Sequence, residues 1–340
     1  MSGVSLRRIA LLTAGGAVAI VGVFALLLFV PSGSYIFLPD RAHPVAPLVS
    51  VKGGHDPKGP GGIYFVDVFV KKASLLEKLL PSVRPDGARV HPASDVRAPG
   101  VSDSARRRAD LRDMTRSQQI AAAVALRALG RQVSATPVGA LIEAVDPSAP
   151  AAGKLQPGDV VVSANGEPVR KPADLQRLVG VLEPGARVTL GIRRGSEQRT
   201  VTLLTAPNPL STRRSRIGVA VGQAANIHLP VPVRINAGSV GGPSAGVAFA
   251  LDLMEELGRD VDQGYKVAAT GELDLNGNVL PIGGVEQKTL GARRAHVDVF
   301  IVPAGENAAA ARRYADGLRI IPVRNFQQAL QALATLPSKA

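Results

Sequence analysis

Residues 238–288 decide the fold, and they read GSVGGPSAGVAFALDLMEELGRDVDQGYKVAATGELDLNGNVLPIGGVEQK. The glycines before Pro243 predict a tight turn that brings Ser244 to the start of a helix. Apolar residues at helical spacing support this helix: Val247, Ala250, Leu251, Met254 and Leu257. A serine there lies near unpaired backbone N–H groups and the positive end of the helix dipole. Such a position can stabilise an oxyanion, although plain N-capping is the alternative.

The second half of this stretch predicts a strand, a hairpin and another helix. Residues 265–270 have the composition of a short buried strand, and residues 273–280 predict a hairpin that turns at Asn276-Gly277. The motif PIGG follows at 281–284 and leads into a helix that carries Lys288.

Three motifs of this stretch together resemble the Lon-type serine protease domain. Ser244 lies in GPSAG, Thr270 lies in TGE, and Lys288 follows PIGG, in the order and spacing of that family. The resemblance covers roughly residues 217–336, about a third of the chain. It implies a serine–lysine dyad of Ser244 and Lys288, in which Thr270 helps to orient the lysine amine.

The chemistry of such a dyad places demands on both residues. A serine hydroxyl is a weak nucleophile until a neighbouring base takes its proton. Lysine can be that base only if its pKa falls from about 10.4 towards neutrality, through burial and nearby positive potential. The backbone N–H groups of Gly242 and Ser244 are the candidate oxyanion donors, because Pro243 has no N–H.

Two other kinds of site have partial support in the sequence. Residues 283–289, GGVEQKT, faintly resemble a phosphate-binding loop, but that loop requires glycine where Gln287 stands. A serine–histidine–acid triad would need a partner such as His228 or His296. Both histidines lie at or beside predicted strands, so we expect them to be structural.

Composition excludes several functional classes. The 340-residue chain has a net charge of +13 but only 4% aromatic residues, and no stretch has the basic, aromatic-rich face that nucleic-acid binding needs. The chain has no cysteine, and its five histidines show no HExxH spacing, so we expect no metal site. No nucleotide-binding motif is present, so we expect neither ATP nor another cofactor.

The N-terminus predicts a single membrane anchor. Residues 9–30 carry no charge over 22 positions, enough for a helix to span about 30 Å of hydrocarbon. Arg7 and Arg8 precede this segment, which predicts that residues 1–8 are a cytoplasmic tail and that the catalytic part is extracytoplasmic. A cleaved signal peptide is the alternative, but no A-x-A site follows directly.

Residues 31–130 form an extracytoplasmic segment of less familiar sequence. Residues 63–70 are apolar at nearly every position, which predicts a strand buried on both faces. A short helix is predicted at 73–80, an irregular connection at 81–101, and a long helix at 104–129. A buried strand needs a sheet to join, so we expect this segment to pack on the protease domain.

Residues 131–207 resemble a PDZ domain of the type found in bacterial proteases. The resemblance rests on GALIEAV at 139–145, LQPGDVV at 155–161 and ANGEPV at 164–169. PDZ domains add a peptide as a strand to a sheet edge and hold its terminal carboxylate with backbone N–H groups. The resemblance implies that Val138, Gly139, Ala140 and Leu141 form this cradle; the alternative is that Gly139 only permits a turn.

Residues 208–340 complete a Lon-like proteolytic domain. Strands at 217–221 and 231–235 are expected to lead into the serine loop, and strand–helix alternation after Lys288 indicates an α/β layer. The predicted fold class is therefore mixed α+β: an N-terminal transmembrane helix, a small β-barrel-like PDZ domain and a Lon-type α/β domain. This architecture resembles the bacterial membrane-anchored PDZ–Lon-like proteases.

The sequence thus predicts a membrane-anchored, ATP-independent serine endopeptidase that cleaves extracytoplasmic peptides or flexible protein segments. The PDZ domain would bind the substrate or gate catalysis. A homo-oligomer is possible, because relatives of the Lon domain form rings. The alternative is a non-catalytic PDZ module that binds peptides on a silent Lon-like scaffold.

Overall fold

The computed structural model describes residues 14, 16, 22–55, 59–97, 101–209, 211–337 and 339. Residues 22–29 are helical. The predicted tail at 1–8 and most of the remaining anchor at 9–30 lie outside the described residues. Within the described ranges, no helix combines the length and the apolar character that crossing a membrane requires.

The elements after residue 30 are numbered in chain order. The strands are β1 (Pro31–Pro39), β2 (His43–Pro44), β3 (Val49–Val51), β4 (Gly62–Phe65), β5 (Val68–Ser74), β6 (Arg89–Pro92), β7 (Ser134–Val145), β8 (Val160–Ala164), β9 (Glu167–Pro168), β10 (Arg187–Arg194), β11 (Glu197–Leu204), β12 (Ala206–Asn208), β13 (Ser211–Arg216), β14 (Val219–His228), β15 (Val233–Ile235), β16 (Lys266–Ala269), β17 (Glu272–Leu273), β18 (Val279–Leu280), β19 (Val299–Pro303) and β20 (Arg319–Val323). The α-helices are α1 (Leu75–Leu79), α2 (Ala93–Val96), α3 (Asp103–Ala128), α4 (Pro172–Gly180), α5 (Gly246–Glu256), α6 (Val285–Arg294), α7 (Glu306–Arg313) and α8 (Phe326–Ala334).

The C-terminal part is a sheet between two layers of helices. Its strand order is β2-β4-β16-β19-β20, and all pairs except β2 with β4 are parallel. Alternation along β19 shows the two faces: Val299 and Ile301 pack with α3, α5 and α8, whereas Phe300 and Val302 pack with α6 and α7. Helix α5 is buried almost all round, so it lies at the centre of the larger core.

The segment before the middle domain supplies part of this C-terminal sheet. Strand β4 pairs in parallel with β16, and β2 pairs with β4. The single strand predicted at 63–70 is wrong, because the chain leaves the sheet after Phe65 and resumes as β5 in a different, antiparallel sheet with the order β5-β1-β6. One side of β5 faces solvent there, with Phe69 58% exposed. The break falls at Val66 and Asp67.

Strand β6 lies inside the stretch predicted to be irregular. It pairs with β1, whose residues carried no strand prediction. The pairing joins positions more than fifty residues apart in the chain, so local composition gave no sign of it.

The middle domain is an antiparallel sheet with one helix across it. Its strand order is β11-β10-β8-β7-β14, with β9 beside β8, and α4 covers a core that includes Ile142, Leu190 and Ile192. Strand β14 pairs with β7 from Val219↔Val145 to His228↔Ser134. The strand expected at 217–221 to lead into the serine loop therefore belongs to the sheet of the middle domain.

Helix α3 connects the two domains. The prediction of a helix at 104–129 is confirmed within one residue at each end, and Ser102 caps it by accepting a hydrogen bond from the Ala105 N–H. Arg116 of α3 donates to the Gln223 carbonyl of β14 at 3.0 Å, and Ser117 donates to the Pro243 carbonyl at 2.8 Å. The long helix thus contacts both the middle sheet and the serine loop.

Candidate active site

The serine loop ends where α5 begins. Gly242 adopts φ +87°, a backbone conformation that L side chains rarely adopt, and Pro243 follows it. Ser244 comes two residues before the first helical residue, with Ala245 as the N-cap. The glycine-rich sequence therefore does what its pattern predicts, placing a hydroxyl at the N-terminus of a buried helix.

Lys288 reaches Ser244 from a second helix. Gly284, at φ +68°, is the N-cap of α6, and Lys288 lies in the first turns of that helix with only 4% of its surface exposed. Its Nζ is 2.6 Å from Ser244 Oγ and 3.2 Å from Thr270 Oγ1. The structure thus brings together the three side chains that the motifs predicted.

Thr270 links the lysine to the serine backbone. It is fully buried, and its Oγ1 donates a hydrogen bond to the Ser244 carbonyl at 3.1 Å. With its hydrogen committed to that carbonyl, the same oxygen is free to accept from Lys288 Nζ. This arrangement fixes the direction in which the amine points.

Burial of Lys288 makes its amine a usable base. Desolvation lowers the pKa of Lys288 from 10.5 to about 8, while the negative charge of Asp67 opposes this fall. A substantial fraction of the amine is therefore neutral slightly above neutral pH, and a neutral amine can accept the Ser244 proton.

The two predicted oxyanion donors differ in availability. The Gly242 N–H donates to the Asp110 carbonyl of α3 at 2.7 Å, so this donor is already occupied. Among the described residues, no acceptor is hydrogen-bonded to the N–H of Ser244 or of Ala245. Gly242 remains a candidate oxyanion donor whose N–H is engaged by α3 in this conformation, a contact that no local sequence pattern indicates.

A cleft of about 1100 Å³ lies in front of Ser244 and Lys288. One side carries Asp40, His43 and Asp67; His43 Nε2 is 3.4 Å from Asp40 and 3.8 Å from Asp67. The sequence analysis missed these residues, although one signal was present. Asp67 is a charged residue that interrupts the apolar run at 63–70, and it lies where the predicted strand breaks.

Among the described residues, two clusters of side chains have ligand atoms close enough to hold a metal ion. Within each cluster the ligand atoms lie within 4.8 Å of one another: Asp40, His43 and Asp67 in the cleft, and Glu255, Asp260 and Asp262 after α5. The sequence prediction that the protein has no metal site remains a prediction.

His228 and His296 stay apart from the serine. His228 ends β14, His296 follows α6, and both are exposed. Neither is among the described residues that line the cleft. A serine–histidine triad with either residue is therefore excluded by position.

The predicted carboxylate cradle of the middle domain is wrong. Residues 138–141 lie within β7, where Ala140 and Leu141 pair with β14 on one side and β8 on the other. Gly139 packs tightly, since a Cβ there would lie 2.6 Å from the Val161 carbonyl. An interior strand has no free edge to which a peptide could pair.

The middle domain instead offers a groove between α4 and β14, the last strand of its sheet. This groove has a volume of about 620 Å³, and its walls include Leu175, Val179 and residues 217–221. At one end, Ser215 Oγ and Arg216 Nε are buried and have no hydrogen-bond partner among the described residues. A sheet edge beside unpaired donors suits an extended peptide that ends in a carboxylate.

Comparisons with known families identify both domains. Residues 209–335 match the Lon protease (S16) C-terminal proteolytic domain, and residues 127–205 match the PDZ domain. The chain therefore contains a Lon-type serine peptidase domain and a PDZ domain in a mixed α/β fold. Strand β14 lies outside the residues that match the PDZ domain. The motif at 139–145 lies inside the match, on β7, so the prediction placed the peptide site on β7.

Individual relatives are similar over part of the chain. Lon protease 2 of Bacillus subtilis is 37% identical over 112 residues, which cover 33% of this chain and 19% of the relative. Lon protease of Chloroflexus aggregans is 35% identical over 144 residues, covering 40% of this chain and 17% of the relative. The chain thus matches less than a fifth of the length of either protein.

A solved structure is similar to part of the chain. The PDZ domain of the SdrC-like protein from Listeria monocytogenes is 18% identical, with a TM-score of 0.24. The match covers 26% of this chain and 92% of the solved chain.

Proposed function

We propose that the protein is a membrane-anchored, ATP-independent serine endopeptidase in which Ser244 is the nucleophile and Lys288 the general base. The observation that carries the proposal is the 2.6 Å hydrogen bond between Lys288 Nζ and Ser244 Oγ, made by a buried lysine whose pKa is lowered to about 8. The S16 domain match supports peptide-bond hydrolysis as the reaction.

In the acylation step, neutral Lys288 takes the Ser244 proton as Oγ attacks the carbonyl carbon of the scissile bond. The new C–O bond makes a tetrahedral intermediate whose oxyanion lies near the Ser244 N–H. The intermediate collapses, the C–N bond breaks, and the leaving amine takes the proton that Lys288 holds. Ser244 then carries the acyl group as an ester.

In the deacylation step, Lys288 acts on water. It takes a proton from a water molecule that attacks the ester carbonyl, and it returns the proton to Ser244 Oγ as the ester C–O bond breaks. Thr270 keeps the amine aligned through both steps. The Ala245 N–H is a further candidate donor, and the Gly242 N–H becomes one only if it leaves the Asp110 carbonyl.

The PDZ domain would present substrates to this site. The groove between α4 and β14 is the part of the domain with a sheet edge and unpaired buried donors, which favours peptides with a free C-terminus. We propose that catalysis needs no ATP, because the sequence contains no nucleotide-binding motif. A protease that does not unfold its substrates can still cleave flexible segments.

Membrane anchoring and an extracytoplasmic site are part of the same proposal. They are supported by the uncharged residues 9–30 and by Arg7 and Arg8 before them. If the proposal is right, the full chain stays in membranes washed with alkaline carbonate, and a protease added outside intact cells digests the catalytic domain. Release by the wash, or protection from the protease, would contradict this part.

The catalytic proposal is tested on the full chain in detergent with an unfolded model protein and no ATP. We expect cleavage by the wild type, none by Ser244→Ala or Lys288→Ala, and no stimulation when ATP is added. Equal cleavage by all three proteins would rule out the dyad. If a serine-reactive probe fails to label the wild type, the non-catalytic peptide-binding alternative is favoured.

A further inference from the structure

The cleft in front of Ser244 has walls of opposite charge. Asp40, His43 and Asp67 form what we name the acidic wall, next to Lys288. Arg106 and Arg107 of α3 form the basic wall, next to the serine loop. A peptide that reaches Ser244 must lie between them, so each wall can contact side chains close to the scissile bond.

The basic wall already has partners within the protein. Arg106 donates to Asp110 at 3.0 Å, and its guanidinium lies 5.7 Å from the centre of the Tyr35 ring. Arg107 donates to the Ser239 carbonyl of the serine loop. These contacts hold α3 against the loop and give each arginine an acceptor within the protein, although Arg106 Nε is buried without a hydrogen-bond partner among the described residues.

Among the described residues, no lysine or arginine pairs with the acidic wall, in which Asp40 accepts the Arg41 backbone N–H at 2.8 Å. Asp67 Oδ1 is buried and has no hydrogen-bond partner among the described residues, although 27% of the side chain faces the cleft. His43 Nε2 lies 3.8 Å from Asp67 and 3.4 Å from Asp40. Lys288 directs its amine to Ser244 and Thr270 instead. A carboxylate oxygen without a partner is costly, and a cation that approaches the exposed part of the Asp67 side chain would offset this cost.

We infer that Asp67, with Asp40, binds the cationic side chain of a substrate residue beside the scissile bond, so that the protease prefers peptides with lysine or arginine there. This inference rests on the proposed function and specifies its substrate class. Both carboxylates, the open cleft and the reacting serine adjoin one another, and a lysine or arginine side chain supplies several N–H donors together with a positive charge.

Pairing at Asp67 would also favour the chemical step. The negative charge of Asp67 raises the pKa of Lys288, which opposes the neutral form that catalysis requires. A substrate cation beside Asp67 offsets that charge. The correct side chain is therefore expected to raise kcat as well as to lower KM, because it acts on the base and not only on binding.

The test compares pairs of peptides that differ at one position. Each pair has lysine or its neutral, near-isosteric analogue norleucine next to the bond that the full-chain enzyme cuts. We expect the wild type to lose about 10- to 100-fold in kcat/KM with norleucine, the range for a charge-assisted hydrogen bond. We expect Asp67→Asn to cut both peptides at nearly equal rates, and Asp40→Asn to keep part of the preference.

Asp95→Asn is the matched control. Asp95 is exposed, lies outside the cleft and contacts only Ser94 in the hydrogen bonds found, so this variant should keep the full preference. Cleavage of both peptides by the wild type at equal rates would overturn the inference and leave the proposed protease intact. Absence of cleavage by the wild type would instead defeat the proposed function, and the inference with it.

Two further measurements separate the alternatives. Binding of the same peptide pair to Ser244→Ala, followed by fluorescence anisotropy, should show the lysine preference without catalysis; equal affinities would count against the inference. The kinetic comparison is also repeated after EDTA treatment. A preference that disappears with EDTA and returns with Mn²⁺ would mean that the acidic wall binds a metal ion, and would overturn our assignment.

Discussion

The catalytic residues come from one local stretch, with Ser244 and Lys288 only 44 positions apart, whereas the walls of the groove come from α4 and β14, which four other strands separate along the chain. Lys288 is buried, Ser244 is half-buried beside the cleft, and the hydrogen bond between them is made within the protein. The groove lies at an open sheet edge. Its buried donors, Ser215 Oγ and Arg216 Nε, have no hydrogen-bond partner among the described residues. The reaction centre is thus preformed, whereas the groove is a separate and open recognition surface. We therefore expect the two sites to respond differently to mutation and to pH.

Removal of the dyad should have the largest effect and should leave the groove untouched. We expect Ser244→Ala and Lys288→Ala each to lower kcat/KM by at least about 1,000-fold, because nucleophile and base act as one unit. The affinity for a peptide with a free C-terminus should remain that of the wild type. Residual activity of Lys288→Ala near the wild-type level would mean that another group takes the serine proton.

The pH dependence should separate the two sites in the same way. Only neutral Lys288 can act as base, and its pKa is lowered to about 8, so kcat/KM should rise about tenfold per pH unit up to pH 8 and then level off. From pH 6 to 8 this amounts to about 50-fold, because half of the amine is still protonated at pH 8.

Peptide binding to the groove is the internal control for this pH profile. Its described lining includes neither histidine nor buried lysine, so affinity should change little over the same range. A rate that stays flat from pH 6 to 8, with an intact groove, would contradict a lysine base.

The free energy of unfolding should show how much the burial of Lys288 destabilises the protein. The pKa of Lys288 is lower in the folded protein than in the unfolded chain, so below pH 8 the unfolded chain binds this proton more tightly and folding is disfavoured. We expect Lys288→Met to raise the free energy of unfolding by about 1–3 kcal/mol at pH 7. The gain should shrink as the pH rises from 8 towards 10.5, where the unfolded lysine also loses its proton.

Urea unfolding at pH 7 and pH 10 measures this difference, with Lys78→Met as an exposed-lysine control. A loss of stability in Lys288→Met at pH 7 would mean that the bonds to Ser244 and Thr270 outweigh the burial of the charge.

The same contrast explains which residues of the catalytic site could be predicted from the sequence and which could not. Ser244, Thr270 and Lys288 could be predicted because each lies in a motif that resembles the Lon-type domain, and the three motifs follow one another in one continuous stretch. Asp67 and the Asp110 carbonyl reach the same cleft from the segment at 31–130, through the pairing of β4 with β16 and the packing of α3 on α5. Those contacts are set by tertiary packing, and no local pattern encodes them.

The sequence analysis placed the peptide-binding site on the wrong strand for a related reason. The motif at 139–145 does form a strand, but whether a strand is interior or at the edge depends on its neighbours. Strand β14 covers β7 along its whole length and itself becomes the edge. The ten-residue register between β7 and β14 could not be read from either strand alone.

The smallest effect tests the corrected groove directly. Arg216 lies at its end, with Nε unpaired and with one terminal nitrogen 3.0 Å from Asp146. We expect Arg216→Ala to weaken binding of a peptide with a free C-terminal carboxylate by about tenfold, the loss expected for one charge-assisted hydrogen bond. Binding of the same peptide with an amidated C-terminus should change little, because it offers no carboxylate.

Arg187→Ala, at an exposed position outside the groove, is the control and should bind both peptides as the wild type does. If Arg216→Ala discriminates between the two peptides as well as the wild type, the carboxylate does not lie at this end. The edge of β14 would then recognise internal segments of a chain, a mode that requires only backbone pairing along the strand.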